Sequence, residues 1–296
     1  MNNATVKILI LCVTALAGTI PARAALLQDP TALPVVNERV LHVYRADALE
    51  GLTVKGDGDQ EIGKLESFLI DATDGEIAYA VIAEGGMLGL GVQHRLVPWN
   101  VLHFSPKGGS KRDKDKANCE VVALLSEDDV AQCPTFKRGE AVTADLERKA
   151  HRAAHLPPIA NLAQRQASRL LSSVDIPGCR VQGKSQAPLG SIEHLLVDPM
   201  EGRVAYVVLE TKSVPGLGEK RIAVPWAATE VAIDAAKKIV LTTQLSKERL
   251  ETAPIYVGKD WKRMTSPAWL REVALYFNVE PYWVRGAPPS ATSAVR

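Results

Sequence analysis

IGKLESFLIDATDGEIAYAVIAEGGMLGLGVQHRLVPW (62–99) is followed 127 residues later by LGSIEHLLVDPMEGRVAYVVLETKSVPGLGEKRIAVPW (189–226). The two stretches align without a gap, and 14 of 38 positions are identical. The matches include Gly63/Gly190, Asp71/Asp198, Gly75/Gly202, Tyr79/Tyr206, Pro98/Pro225 and Trp99/Trp226. Upstream the same offset relates Gly51, Val54 and Gly56 to Gly178, Val181 and Gly183. Downstream, Ser126 and Pro134 meet Ser246 and Pro254 at an offset of 120, so the first copy carries seven extra residues. A period of this length marks one structural unit written twice, each large enough for its own small core.

Within a copy the apolar residues alternate with a period of two, the signature of strands. Ile62–Asp71 and Glu76–Ala83 are aliphatic runs meeting at Asp74-Gly75, a dipeptide suited to a type I′ hairpin turn. Phe68 and Ile70 fall on one face and Leu65 and Leu69 on the other, so one face fills an interior and the other is covered from outside. A glycine loop, a strand ending in Val-Pro-Trp, and a further strand near 120–125 or 239–243 follow. Each copy then opens a short helix at Ser126 or Ser246, the first with a capping-box acid, Asp129, that the second lacks. A barrel of about six strands is expected from each copy.

The glycine-to-aspartate spacing, the Gly-x-h-x-Tyr strand (h, an apolar residue) and the Pro-Trp ending resemble the PRC-barrel family in both copies. That barrel is shared by the H subunit of photosynthetic reaction centres and the C-terminal domain of ribosome maturation factors. The resemblance implies a mainly β fold of two tandem small barrels and a partner-binding role, with no shared catalytic residues. The repeated residues Gly63, Asp71, Gly75, Tyr79, Pro98 and Trp99, with Gly190, Asp198, Gly202, Tyr206, Pro225 and Trp226, then read as a structural motif.

Around the barrels the organisation is expected as follows. Residues 1–24 form an export signal: Lys7, an apolar run over 8–20, and Ala22-Arg23-Ala24 as a small-x-small cleavage site after Ala24. The apolar run is too short to span a bilayer comfortably. The first domain covers 43–138, a helical or mobile linker 139–169, and the second domain 170–256. An aromatic-rich helical extension runs over 257–284, and a small, polar, Pro-containing tail closes the chain at 285–296.

Charge and composition exclude much. Lys+Arg 35 against Asp+Glu 34 leaves a net +1, so no polyanion partner is announced and nucleic acid is not expected. Three cysteines follow the signal, Cys119, Cys133 and Cys179; Cys119–Cys133 is a candidate bridge, and three separate buried thiols are the alternative. The sequence contains no Gly-x-Ser-x-Gly, Cys-x-x-Cys or His-Glu-x-x-His, so no catalytic residues and no cofactor are expected. His151 and His155 are four apart and would share a helix face, but Arg148, Lys149 and Arg152 around them oppose a cation and no metal is expected. The glycine loops 85–91 and 214–218 lie between strands, unlike a phosphate cradle. The insertion 107–116, KGGSKRDKDK, reads as a solvated hairpin tip, with electrostatic contact to an anionic lipid head group, as a peripheral membrane contact, or to an acidic protein as its functional alternative.

The richest functional signal is DWKRMTSPAWLREVALYFNVEPYW (260–283), with Ser266-Pro267 as helix start and Asn278 as stop. Leu270, Val273, Ala274 and Phe277 form one apolar stripe, suited to packing on the second barrel. Trp261, Trp269, Tyr276, Tyr282 and Trp283 make the candidate interaction surface, because Trp and Tyr are enriched at binding hot spots. The expected protein is an exported, non-enzymatic binding or scaffolding module of the bacterial envelope, periplasmic or secreted, with an envelope protein as partner. An accessory of a membrane electron-transport complex is the alternative, on fold analogy with the reaction-centre subunit.

Overall fold

The computed structural model describes residues 42–85, 91–107, 117–157, 170–258, 261–264 and 266–283, all within one compact unit, Glu38–Arg296. The first copy runs β1 (Tyr44–Arg45), α1 (Ala46–Leu49), β2 (Thr53–Lys55), β3 (Glu61–Asp71), β4 (Ile77–Glu84), β5 (Gln93–Pro98), β6 (Leu102–Pro106), β7 (Cys119–Ala123), α2 (Glu127–Gln132) and α3 (Ala144–Ala153). The second runs β8 (Leu170–Ser172), β9 (Arg180–Gln182), β10 (Pro188–Asp198), β11 (Arg203–Glu210), β12 (Arg221–Pro225), β13 (Thr229–Ile233), β14 (Ile239–Thr243), α4 (Lys247–Glu251), α5 (Trp261–Met264) and α6 (Pro267–Phe277).

The copies build matching sheets, ordered β5-β4-β3-β2-β7-β6 and β12-β11-β10-β9-β14-β13. The fold is therefore mainly β and tandem, but the sheets are not the closed barrels expected from the sequence. β5 and β6 stand at opposite ends of their sheet, joined by a single 3-10 turn, Trp99–Val101. The outer edge of β5 is taken instead by the returning segment after α2: Leu96 N donates to Pro134 O at 2.9 Å and Phe136 N to His94 O at 2.8 Å. In the second copy Tyr256 N donates to Arg221 O at 2.7 Å in the same way. An edge already paired offers no donors to close a ring.

Each sheet has a seventh strand, and it comes from the other copy. β8 pairs with β3 through Leu171↔Ile70, and β1 pairs with β10 through Tyr44↔Val197. β3 and β10 are 11 residues long while β2 and β9 pair only with their N-terminal ends, so the far half of that edge is open to a strand from elsewhere. One buried cluster runs through both copies, joining Phe68, Trp99 and Phe104 to Leu195, Trp226 and Leu241. Neither copy is self-contained.

Two further expectations change, and the helical linker gains a packing role. Asp74-Gly75 is not a two-residue type I′ turn: the loop spans 72–75 and closes through Gly75 N to Asp71 O at 2.9 Å. Leu65 joins Phe68 and Ile70 in the shared core while Leu69 alone faces outward, because a register shift between Leu65 and Ser67 inserts an odd residue and flips the alternation. The stretch expected as linker contains α3, whose Ala150 packs with Leu69, Tyr79, Val81 and Phe136 on the outer face of the first sheet. Thr143 caps it by accepting the Leu146 amide. α6 covers the equivalent face of the second sheet, Leu196, Tyr206 and Val208. Linker helix and tail helix thus do the same work for successive copies.

Candidate interaction surface

Six of the twelve repeated motif residues, Asp71, Gly75, Trp99, Asp198, Gly202 and Trp226, converge on the seam between the copies. Asp71 Oδ1 accepts the Thr73 amide at 2.8 Å, and Asp198 Oδ1 accepts the Met200 and Glu201 amides at 3.2 Å each. Short acids hold their own turns this way. The two turns then join: Ile77 N donates to Gly202 O at 2.7 Å and Val204 N to Gly75 O at 2.9 Å, flanking an antiparallel bridge between Glu76 and Arg203. Gly75 (φ +78) and Gly202 (φ +61) supply left-handed backbone, and the indole of the opposite copy lies against each. Trp226 covers Gly75 and Trp99 covers Gly202, the Trp99 Nε1 donating to Pro199 O at 3.2 Å. Pro98 and Pro225 pair with Tyr79 and Tyr206, which are buried beneath the covering helices. Gly63 and Gly190 sit where a neighbouring carbonyl, Ala83 or Glu210, leaves no room for a Cβ.

The five aromatic residues of the expected interaction surface separate. Trp261 opens α5. Trp269 is only 3% exposed, packed with its ring 6.0 Å from that of Tyr206, so it belongs to the core and not to a surface. The reason is the stripe itself: Trp269, Leu270, Val273 and Ala274 form the buried side of α6. Tyr276 is half-buried and engaged with α4, lying 4.4 Å from the Arg249 guanidinium and 2.8 Å from Thr252 Oγ1. Tyr282 and Trp283 are half-buried and stand edge to face at 5.0 Å. They wall a cleft at the seam, shared with Arg203, Pro225 and Trp226 of the second copy and Asp74 from the turn of the first. The structure therefore retains two of the five residues beside a recess, and both copies contribute to it.

The titratable groups of the seam and its surroundings are displaced by burial. Desolvation raises the Asp198 carboxyl to about 6 and the Glu50 carboxyl to about 7, the Ser173 hydroxyl opposing the second by a 3.2 Å hydrogen bond. Burial lowers His194 to about 4, with Arg45 of the exchanged strand adding to the effect. Glu50 and His194 have no signal in the sequence, because nothing local distinguishes them from surface groups, whereas Asp198 is marked by the repeat as a turn acid and only its burial is hidden.

The remaining candidates are placed as follows. His155 lies beyond the end of α3 in left-handed backbone and bonds Asp129 at 2.9 Å, so it does not share a helix face with His151, whose Nδ1 lies 3.2 Å from Pro157 O. No group of three metal-ligating side chains occurs among the described residues. Cys119, Cys133 and Cys179 are free thiols; burial raises the first to about 11 and the second to about 12. The loop 214–218 connects β11 to β12, two strands, with Val214 N bonded to Thr211 O at 2.8 Å. The export signal, the greater part of the basic insertion 107–116 and of the loop 85–91, and the tail 285–296 lie outside the described residues.

No curated protein matches the chain. Among solved structures it is similar to a protein from Pseudomonas aeruginosa named for 16S ribosomal RNA processing, RimM, at 13% identity and a TM-score of 0.22, covering 62% of this chain and 98% of that one. The PRC-barrel domain model matches residues 41–116 and 170–249, more than half of the chain in two segments that coincide with the two copies. The chain belongs to the PRC-barrel domain family and carries two copies of the domain in tandem.

Proposed function

We propose that this protein is an exported, non-enzymatic binding module that holds an envelope protein against the seam of its two copies. The observation carrying this reading is the use made of the repeated residues. Asp71, Gly75 and Trp99, with Asp198, Gly202 and Trp226, hold turns and join the copies, while the half-buried pair Tyr282 and Trp283 is left beside the seam cleft. Paired aromatic side chains next to a recess are what a partner's apolar anchor needs. The export signal at 1–24 supports placing that partner in the envelope.

Site-specific photo-crosslinking in intact cells tests it. A crosslinker at Asp74 or Trp283 should yield one discrete adduct, and the same group at exposed Ile233 should not. Equal adducts from all three positions would reject the seam as the binding face. N-terminal sequencing of the envelope protein should begin at Ala25; an intact Met1 would reject export by cleavage.

A further inference from the structure

Asp198 is 2% exposed at the end of β10. Its Oδ1 holds two turn amides, and its Oδ2 accepts the Tyr282 hydroxyl at 3.0 Å. Its counterpart Asp71 is half-buried, and its carboxyl bonds only within its own turn among the described residues. The difference is the segment Val279–Trp283, which leaves α6 through the left-handed cap Asn278 (φ 53) and turns back over the second copy. Tyr282 and Trp283 pack on the cluster around Tyr206, and a cleft lined also by Arg203, Pro225 and Trp226 runs beside them. Trp226 Nε1, buried there, has no hydrogen-bond partner among the described residues.

We propose that Val279–Trp283 is a pH-gated strap, closed over Asp198 while that carboxyl is protonated and released when it ionises, baring the Tyr206–Trp226 wall. The groups facing Asp198 set the sign. Glu201 on its own turn adds repulsion to the ionised form and Tyr282 of the strap bonds it directly; Glu280 from the strap, Arg203 from β11 and Asp74 from the first copy line the cleft on the far side of Tyr282. The two amides and the Tyr282 hydroxyl oppose that repulsion, and burial outweighs them. Releasing the strap returns the carboxyl to water and lowers its pKa toward the ordinary value of about 3.9. The open fraction therefore rises with pH between about 4 and 6, by up to about a hundredfold for two pKa units.

Hydrogen exchange of the full-length chain, corrected for the intrinsic pH dependence of exchange, reads the strap directly. The peptide covering 279–283 should lose at least tenfold in protection from pH 4.5 to pH 7, while the peptide covering 267–277 stays unchanged. Asp198→Asn keeps an acceptor and removes the charge, so its strap should show no pH dependence. Tyr282→Phe, which keeps the ring, should raise strap opening several-fold at pH 4.5. A flat wild-type profile, a pH-dependent Asp198→Asn strap, parallel loss in 267–277, or no change in Tyr282→Phe each overturns the proposal.

Discussion

Glu76 and Arg203 face each other across an antiparallel bridge, and they are themselves equivalent residues, 127 apart. The bridge therefore sits on a pseudo-twofold relation, and the contacts around it come in pairs. Trp99 on Gly202 is answered by Trp226 on Gly75, Ile77 to Gly202 by Val204 to Gly75, and β8 on β3 by β1 on β10. Such reciprocity is the hallmark of an isologous dimer interface, here contained within one chain. Gly75, Trp99, Gly202 and Trp226 are identical pairs that each serve the other copy, whereas Tyr79 and Tyr206 serve the core of their own.

The pairing fails at the indole nitrogens, and that failure is measurable. Trp99 Nε1 donates to Pro199 O, whereas Trp226 Nε1 has no partner among the described residues. Replacing each indole by phenylalanine removes similar apolar area, but only Trp99→Phe loses a hydrogen bond and strands a carbonyl. A net bond of about 0.5–1.5 kcal/mol and an unpaired buried donor of about 1–3 kcal/mol set the scale. Trp99→Phe should therefore destabilise by about 1–2 kcal/mol more than Trp226→Phe, read from urea midpoints at equal m-value. Equal costs would show that Trp226 is satisfied by water.

Gly75 tests the seam from the backbone side. A Cβ there would lie 2.6 Å from Trp226 Cδ1, and the ring is 3% exposed and cannot swing away. Left-handed backbone costs a non-glycine residue about 1–2 kcal/mol and overpacking about 1–3 kcal/mol. Gly75→Ala should lose about 2–5 kcal/mol. Gly139→Ala, with φ +83 and nothing within 4 Å, should lose only the backbone part. Urea unfolding of the two variants side by side checks the difference.

Much of this is legible in the sequence. The 127-residue offset, the strand periodicity and the Ser266 and Asn278 helix limits all reappear. What stayed hidden was everything that depends on one copy meeting the other. Leu170–Ser172 and Tyr44–Arg45 are too short to announce themselves as strands, and no local pattern says that they cross over. The bulge after Leu65 reversed a facing that alternation alone assigns. Trp269 read as a docking residue because a tryptophan on an amphipathic helix suits a core and an interface equally.

Two buried groups should tilt stability against pH in opposite directions. Glu50 is raised to about 7, so folding favours its protonated form; that contribution is present below about 4.5 and is lost as pH rises to about 7. His194 is lowered to about 4, so folding favours its neutral form; that contribution is present above about 6.5 and is lost as pH falls to about 4. Glu50 is partly exposed, which reduces its share to about 1–2 kcal/mol. Glu50→Gln, which keeps an acceptor for Ser173, should gain that amount at pH 8 and nothing at pH 4. His194→Gln should flatten the acid limb. Urea midpoints at pH 4, 6 and 8 separate them, and an unchanged profile in either variant removes that group from the account.

The tail helix decides how much of the second copy's core lies outside the repeat. Leu270 and Val273 are fully buried against Tyr206 and Val208, whereas Leu275 on the opposite side is 55% exposed. Leu270→Ala should cost about 2–5 kcal/mol, the range for a large side chain deleted from a packed core. Leu275→Ala should stay within about 0.5 kcal/mol, as surface positions do. Removing the chain from Trp261 onward strips the cover from Leu196, Tyr206 and Val208 together, exposing an apolar face that a small domain of marginal stability cannot leave wet. The truncated protein should melt well below the full chain or precipitate on expression. α3 performs the same service for the first copy, so Ala150→Asp, which drives a charge against Tyr79 and Phe136, should reproduce the loss there. A truncation that melts with the full-length protein would mean that α6 rests on the sheet without sharing its core, and its apolar stripe would then belong to a partner.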